Sequence, residues 1–479
     1  MHMIYMISNV LTFGEKMEKG NPFEDIDSQK LNFGHIKIWF TSGMGFFTDA
    51  YDLFIIGIVL ILLTGHYNTA FHLNTVQSAL IGTSAIAAAI VGQLMFGRIA
   101  DIYGRKRVYG IEASILAIGA LLSAFSMNFW FLFISRFLLG IGIGGDYPVS
   151  ATIMSEYSNK NDRGKLIGFV FANQGIGSVV AVAVGVISVV AFSPDFAWRF
   201  MLAFGAIPAL AVIYLRRKLP ETPRYSLLVS QDVETAKNAK KVLGVDNKDL
   251  PKATTQVSKF SIFIKSYWKT LLVTASTWFF LDIAYYGTGI YSSPIVSNII
   301  PATSLPMKVL IAGLPFMVGF FGYFTAVGLL DKLGRKVIQV QGFIMMALLY
   351  IVVSSVMIVH GSKVVGFTIP VDIAFILYAL SFFFIDFGPN ETTFIIPAEV
   401  FPVKYRTTGH GISAAAGKVG AAISTLLMPV LLVSIGLKEV LLILGGISIV
   451  GGLVSLAIKE PANKSLEEAS NEKIVVQPD

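Results

Sequence analysis

Long apolar stretches separated by short polar links dominate the pattern of hydrophobic and polar positions along the chain. An α-helix needs about 20 residues to cross the hydrocarbon core of a bilayer, and each stretch is close to that length or longer. Six stretches precede a polar interruption and six follow it. The pattern therefore predicts an all-α integral membrane protein with twelve transmembrane helices in two six-helix bundles. The predicted spans 1 to 12 are 37–64, 77–97, 108–127, 130–155, 166–192, 198–215, 270–292, 307–330, 337–359, 368–396, 408–433 and 436–458.

The same pattern divides the chain into five segments. We interpret the apolar start, residues 1–13, as a disordered or interfacial tail and not as a signal peptide, because no Lys or Arg precedes it and no cleavage site follows. The polar interruption is expected to be a linker with short helices. The predicted segments are an N-terminal tail at 1–36, a six-helix bundle at 37–215, the linker at 216–267, a second six-helix bundle at 268–458 and a C-terminal tail at 459–479.

Basic residues cluster in the links that follow spans 2, 4, 8 and 10, whereas the opposite links around 65–76, 128–130, 193–197 and 293–306 contain none. Cytoplasmic loops carry the excess of Lys and Arg in membrane proteins. We therefore predict a multi-pass protein of the cell membrane with both termini and the linker in the cytoplasm. An even number of spans agrees with this orientation.

Composition supports the membrane assignment and limits the kinds of functional site that the chain can contain. Charged residues make up 14% of the chain, against roughly 25% in soluble domains, and the mean hydropathy is +0.69. The net charge of +7 lies in the short loops, so it indicates topology and not nucleic-acid binding. The chain has no cysteine, which excludes disulfides and thiolate metal sites. No nucleophile–base pair, metal cluster or ATP-binding loop is recognisable, so we predict neither an enzyme nor a cofactor nor a metal site.

Two motifs recur at corresponding places in the two halves. An Asp-x-x-Gly-Arg-Lys motif follows span 2 at 101–106 and span 8 at 331–336, and a Glu precedes an Arg by seven residues after spans 4 and 10. Such a repeat indicates duplication, with a site between the halves as in alternating-access transporters. We expect these charged residues to form salt bridges that close the inner gate in the outward-facing state. The predicted gating residues are Asp101, Arg105, Glu156, Arg163, Asp331, Arg335, Glu399 and Arg406.

Acidic residues inside the spans are candidates for proton coupling. Asp146 stands in the middle of span 4, and no other charge lies between Arg136 and Glu156. A charge there costs at least ~2.5–3.5 kcal/mol on insertion scales, so it normally faces a polar cavity. Asp49 and Asp52 share one face of span 1, where two ionised carboxylates would repel, so one should hold a proton. The alternative is that one of them pairs with Arg136.

Span 7 carries Trp278, Asp282 and Tyr286 at a spacing of four, which places them on one helical face. They either line a substrate cavity or form an aromatic packing stripe around a satisfied Asp. Lys418 stands alone in the apolar run of span 11, too deep to reach water easily. It either binds an anion, which we favour, or forms a Lys–Asp pair that holds the two halves together.

Several segments carry a family resemblance. Residues 97–106 resemble the signature of the major facilitator superfamily, and 220–225 and 464–468 resemble its sugar-porter-like branch. Longer blocks are similar to the phosphate:proton symporters of fungi and plants. These blocks are 43–54, 144–148, 387–390 and 417–420.

The resemblance implies the major facilitator fold and a set of functional residues. Asp49, Asp52 and Asp146 match the proton-coupling carboxylates of the family. Asp386 and Glu391 depart from its pattern, because neutral residues are expected at both places. The implied substrate-binding residues are Tyr147, Gln174, Trp278, Asp282, Tyr286, Asn390 and Lys418.

We therefore predict proton-coupled symport of inorganic phosphate by alternating access, with a small-molecule substrate, protons and the lipid bilayer as partners and no nucleic acid. A protonated carboxyl donates to a phosphate oxygen whereas an ionised one repels it, so proton and anion would bind with positive linkage. A sugar or organic-anion symporter is the nearest alternative, although span 7 contains no Gln of the kind sugar porters use. A transporter-like nutrient sensor is disfavoured by the short tail after span 12.

Overall fold

The computed structural model describes residues 21–65, 67–245, 250–257, 259–300 and 302–476. The tail interpretation for residues 1–13 lies outside these ranges. Eleven helices of the described chain are long and apolar enough to cross a membrane. A twelfth, the helix of span 7, is as long but less apolar, because Trp, Tyr, Thr and Asp282 occupy the face on which the site is built. The prediction of twelve spans in an all-α fold is confirmed.

The first six spans form the N-terminal bundle. Asn32, Asn74 and Asn128 start spans 1, 2 and 4, and each side chain accepts a hydrogen bond from a first-turn backbone N–H that the helix itself cannot pair. The spans are Phe33–Thr64, Thr75–Tyr103, Arg105–Val108 with Ile111–Ala124, Phe129–Tyr157, Arg163–Ala191, and Pro194–Phe204 with Ala206–Lys218.

The last six spans form the C-terminal bundle. Span 10 is discontinuous, because its two helices meet at Phe387 and Gly388. Broken helices at membrane depth occur where they line a site or cavity. The spans are Phe260–Ile290, Leu305–Leu333, Arg335–Ser355, Val371–Asp386 with Pro389–Val400, Arg406–Ser434 and Leu437–Ser455.

The two bundles meet along equivalent helix pairs: span 2 packs against span 11, and span 5 packs against span 8. At the first of these contacts Gly97 lies against the Cα of Gly411 and the carbonyl of Thr407. A Cβ on Gly97 would collide with this backbone, so the glycine permits the close approach of the two helices. The duplication read from the motifs therefore reappears in how the halves pack.

Short elements cover the end of the molecule that carries the basic links, which we call the basic face. Strand β1, Ala253–Thr255, pairs antiparallel with β4, Ile474–Val476, and so joins the linker to the C-terminal tail. At the opposite end, β2, Met357–His360, and β3, Lys363–Phe367, form a hairpin between spans 9 and 10. The other short helices are Glu24–Asp27, Pro223–Leu228, Val233–Val242, Ser292–Ser297, the 3-10 turn Val403–Tyr405 and Leu466–Ser470.

Candidate substrate site and gates

Glu156 and its arginine partners close the N-terminal half of the basic face. Its Oε1 lies 3.2 Å from a guanidinium nitrogen of Arg105 and 2.9 Å from one of Arg406. Arg105 also lies 3.1 Å from Asp101. Since Arg406 begins span 11, this cluster ties the two halves together.

The C-terminal half repeats the arrangement with Glu399 at its centre. Its Oε1 lies 2.9 Å from Arg335 of the same half and 2.8 Å from Arg163, which begins span 5 of the other half. Arg335 also lies 2.9 Å from Asp331. Each glutamate therefore binds one arginine of its own half and one of the other.

The two motif aspartates add a second tie between the halves. Asp101 accepts from the backbone N–H of Thr408 at 2.6 Å, and Asp331 accepts from that of Lys165 at 2.8 Å. Both donors lie in the first turn of a helix, where the helix dipole favours a negative charge. Two equivalent sets of contacts, one centred on Glu156 and one on Glu399, therefore close the basic face.

Lys418 occupies the centre of the candidate substrate site. Its Nζ donates to Asp282 Oδ2 and to the Tyr286 hydroxyl, each at 2.9 Å. The ammonium also lies 4.2 Å from the ring centroid of Tyr286 and 4.8 Å from that of Tyr147. The alternative to anion binding was a Lys–Asp pair that holds the two halves together. The pair is present, but spans 7 and 11 both belong to the C-terminal bundle, so it does not join the halves.

A chain of hydrogen bonds runs from this cluster across the interface between the bundles. Gln174 Nε2 donates to the Tyr147 hydroxyl at 2.7 Å, and the Tyr323 hydroxyl donates to Gln174 Oε1 at 3.5 Å. Asn390 Nδ2 donates to the Tyr323 hydroxyl at 2.6 Å and to Asp386 Oδ1 at 2.7 Å. The sequence did not predict Tyr323, because a single phenol in an apolar span carries no periodic signal.

Trp278 forms one wall of the site. Its ring lies 6.3 Å from Tyr147 and 5.5 Å from His410, centroid to centroid. Gly417 provides the room, since a Cβ there would overlap the indole. His410, in the second turn of span 11, is fully buried, and its Nε2 lies 3.0 Å from the Phe394 carbonyl.

The seven predicted substrate-binding residues therefore come together. Within the described chain all of them are buried, and hydrogen bonds or ring contacts connect them. The ring of Phe54 stacks over Tyr286 at 6.0 Å, on the side away from the basic face. Beyond Phe54 a small cleft, lined mainly by apolar residues of spans 1, 5, 7 and 8, lies between the halves.

Asp146 is paired, contrary to its isolation in the sequence. Its Oδ2 lies 2.7 Å from Arg216, and its Oδ1 accepts from the Ser150 hydroxyl. Arg216 also lies 2.8 Å from Glu112. The prediction that span 6 ends at 215 and that Arg216 belongs to the linker is wrong, because the helix continues to Lys218 and buries the guanidinium.

Asp49 lies close to this pair, and both Asp49 and Asp52 are completely buried. Within the residues that the structure describes, neither carboxylate has a hydrogen-bond partner. Arg136 donates to the backbone carbonyl of Asp52 at 2.8 Å and not to its carboxylate, so the predicted alternative of an ion pair is not observed. A small cavity borders Asp49, Asp146 and Arg216.

Comparison with known proteins agrees with this architecture. A family model described as "Sugar (and other) transporter" matches residues 39–472. The chain is 38% identical to the Probable inorganic phosphate transporter 1-6 of Arabidopsis thaliana, over 95% of this chain and 97% of that protein. It is 36% identical to the Low affinity inorganic phosphate transporter 1 of Petunia hybrida, over 93% and 94% of the two chains.

Solved structures show the same fold. The proton:xylose symporter XylE bound to 6-bromo-6-deoxy-D-glucose superposes with a TM-score of 0.77 at 17% identity, over 91% of this chain and 98% of that one. A partially occluded inward-open XylE from E. coli gives 0.68 at 16% identity, over 90% and 99%. The chain is thus a multi-pass membrane transporter, and it belongs to the sugar (and other) transporter family of the major facilitator superfamily, as its motifs predicted.

Proposed function

We propose that the protein carries inorganic phosphate together with protons across the cell membrane by alternating access, with both termini in the cytoplasm. The observation that carries the proposal is the buried Lys418, which is held against Asp282 and two phenols at the centre of the fold. A buried cation in a cage of hydrogen-bond donors suits a small oxyanion. The plant relatives are named as inorganic phosphate transporters, which supports phosphate as that anion.

Lys418 would supply the charge that phosphate needs. The ammonium has three donors, and in this structure two of them engage Asp282 and Tyr286. An incoming phosphate would compete with Asp282 for the ammonium. The hydroxyls of Tyr147 and Tyr286 and the amides of Gln174 and Asn390 would then bind the remaining phosphate oxygens.

Asp282 would link the anion to a proton. While it neutralises Lys418 it can remain ionised, but a phosphate at Lys418 would place two anions side by side. Protonation of Asp282 removes this repulsion and turns the carboxyl into a donor. Proton and phosphate would therefore bind with positive linkage, as symport requires.

The acids of the N-terminal half would carry coupling protons. Arg216 neutralises Asp146, while Asp49 and Asp52 have no ion-pair partner in the described chain. A carboxylate buried without a partner is costly, so these groups favour the protonated form until water reaches them. The cavity beside Asp49 and Asp146 would supply that water when the halves move.

The contacts at the basic face would act as the inner gate. They involve four arginines and four acids arranged with the symmetry of the two halves, and several cross from one half to the other. Opening towards the cytoplasm would require these contacts to separate. Closing them would leave the outer cleft as the route to the site.

Uptake by purified protein in proteoliposomes tests the proposal. Labelled phosphate should accumulate when the outside is acidic, and accumulation should collapse when a protonophore removes the gradient. Unlabelled phosphate should compete, whereas xylose and sulfate should not. Uptake of a sugar in place of phosphate, or accumulation that ignores the proton gradient, would contradict the proposal. Lys332→Ala, at an exposed lysine of the basic face, is a control that should transport normally.

A further inference from the structure

Two carboxyls flank the break in span 10 and have no part in the proposed phosphate site. Asp386 ends the first helix of the span, and Glu391 lies in the first turn of the second. Both are buried, with 2% and 0% of their surface exposed. Acids at this depth are costly unless they are paired or functional.

Asp386 is bonded to the substrate shell but to no cation. It accepts from Asn390 Nδ2 at 2.7 Å, and within the described chain it forms no ion pair. The titratable groups around it are Glu391 and four phenols from the helices packed against it: Tyr285 and Tyr286 of span 7, Tyr323 of span 8 and Tyr350 of span 9. Lys418, the cation of the site, is engaged by Asp282.

Glu391 is still more isolated. Neither of its carboxylate oxygens has a hydrogen-bond partner among the residues that the structure describes. It lies against Gly168 of span 5, which belongs to the other half. The titratable groups within electrostatic range are Asp386 and the phenol of Tyr323. An ionised glutamate in these surroundings would leave a buried charge without compensation, which is strongly unfavourable.

We infer that Asp386 and Glu391 form a second proton-binding site, in the C-terminal bundle, which the transport cycle loads and empties together with the phosphate site. The inference rests on the proposed function and extends it to protons carried by both halves. The N-terminal bundle holds Asp49 and Asp52 without an ion pair, and Asp386 and Glu391 are their functional counterparts. The step moves only protons: each carboxylate takes one from the outer side and releases it at the basic face.

Asn390 couples this site to the substrate. Ionised Asp386 accepts from the Asn390 amide, whereas protonated Asp386 would donate to its oxygen. A change of protonation therefore reorients or releases the Asn390 side chain, whose amide also donates to Tyr323. The partial positive charge at the start of the second helix stabilises ionised Glu391. Release of its proton is thus feasible once water reaches the break.

The first test is the number of protons moved per phosphate, measured in proteoliposomes from the reversal potential of phosphate flux under set proton and phosphate gradients. The double variant Asp386→Asn, Glu391→Gln should lower the ratio by at least one proton and retain phosphate/phosphate exchange. Asp372→Asn, at an exposed acid in the first turn of span 10, is the matched control and should keep the wild-type ratio. An unchanged ratio in the double variant with exchange intact would overturn the inference.

A second readout does not depend on transport. Infrared difference spectra of the wild type between neutral and alkaline pH should contain the carbonyl stretch of a protonated, buried carboxyl. Glu391→Gln or Asp386→Asn should remove part of this band, and Glu391→Asp should restore it. A band that both neutral variants leave intact would overturn the second proton site, even if the wild type carried no phosphate. If the wild type does not transport phosphate but the substitutions still weaken the band, the proposed function is contradicted and the second proton site is not.

Discussion

Arg216 binds Asp146 through a 2.7 Å ion pair, although the two residues are 70 positions apart and the sequence surrounds Asp146 with apolar residues. The guanidinium also donates to Glu112 at 2.8 Å, so one cation is shared by two acids in the N-terminal bundle. Proton binding at Asp146 must therefore be considered together with Arg216.

Asp146→Asn is expected to abolish proton-driven accumulation, because an amide cannot exchange its proton with the pathway. Exchange of phosphate without a gradient should persist, since Asn retains an oxygen that can accept from Arg216. Uptake and exchange in the same proteoliposome preparation provide the comparison. A variant that still concentrates phosphate from an acidic outside would move the coupling role to Asp49 or Asp52.

Arg216→Gln should destabilise the protein by roughly 3–5 kcal/mol, the cost of leaving a buried charge without its partner. The measurement is thermal unfolding of the detergent-solubilised protein. Adding Asp146→Asn and Glu112→Gln removes the stranded charges and should restore much of the melting temperature. A triple variant no more stable than the single one would show that Arg216 acts through packing and not through charge.

Lys418→Ala should weaken phosphate binding about 10- to 150-fold, which corresponds to roughly 1.5–3 kcal/mol for a lost charge-assisted hydrogen bond. The affinity follows from equilibrium binding of labelled phosphate. Asp282→Asn in the Lys418→Ala background separates the two roles of the lysine, since it relieves the stranded carboxylate without replacing the cation. Affinity that recovers fully in the double variant would leave Lys418 as a purely structural partner of Asp282.

Asp282→Asn alone should reduce the preference for phosphate over sulfate. Dihydrogen phosphate can donate to Asp282 while the carboxylate is ionised and accept from it once it is protonated, whereas sulfate at neutral pH has no proton to give and leaves the ionised carboxylate repelled and unpaired. The cost of such an unpaired buried group is on the order of 1–3 kcal/mol or more. Competition of both anions against labelled phosphate measures the ratio, and a ratio equal to the wild type would contradict the assignment.

The double variant Glu156→Gln, Glu399→Gln should open the basic face, because each glutamate pairs with two arginines, one from each half. The chain has no cysteine, so a single introduced thiol reports accessibility without background. Ala414→Cys, one turn from Lys418 and fully buried, should react faster with a membrane-impermeant maleimide applied at the basic face. Equal labelling rates with and without the two glutamate substitutions would exclude a gating role.

Hydropathy and charge in the loops predicted the twelve spans, because the bilayer imposes a length and an apolar composition on every span. Costly polar residues within spans, such as Asp282 and Lys418, were visible for the same reason. Arg216 was missed because a basic residue at a span end is indistinguishable in sequence from a loop residue. The sequence also could not predict that Glu156 and Glu399 each bind an arginine of the opposite half, since this depends on how the halves pack and not on the local sequence pattern.

The strand pair β1–β4 joins the C-terminal tail to the linker, and the carboxylate of Glu467 in the same tail lies 2.9 Å from the guanidinium of Arg224. Arg224 also holds Asp27, near the start of the described chain, at 2.6 Å. A continuous brace thus crosses beneath both bundles. If the two bundles rock against each other, these contacts must either move as one rigid body or break. The free energy needed to break them then adds to the cost of opening the inner gate, and no residue of the substrate site can change that contribution.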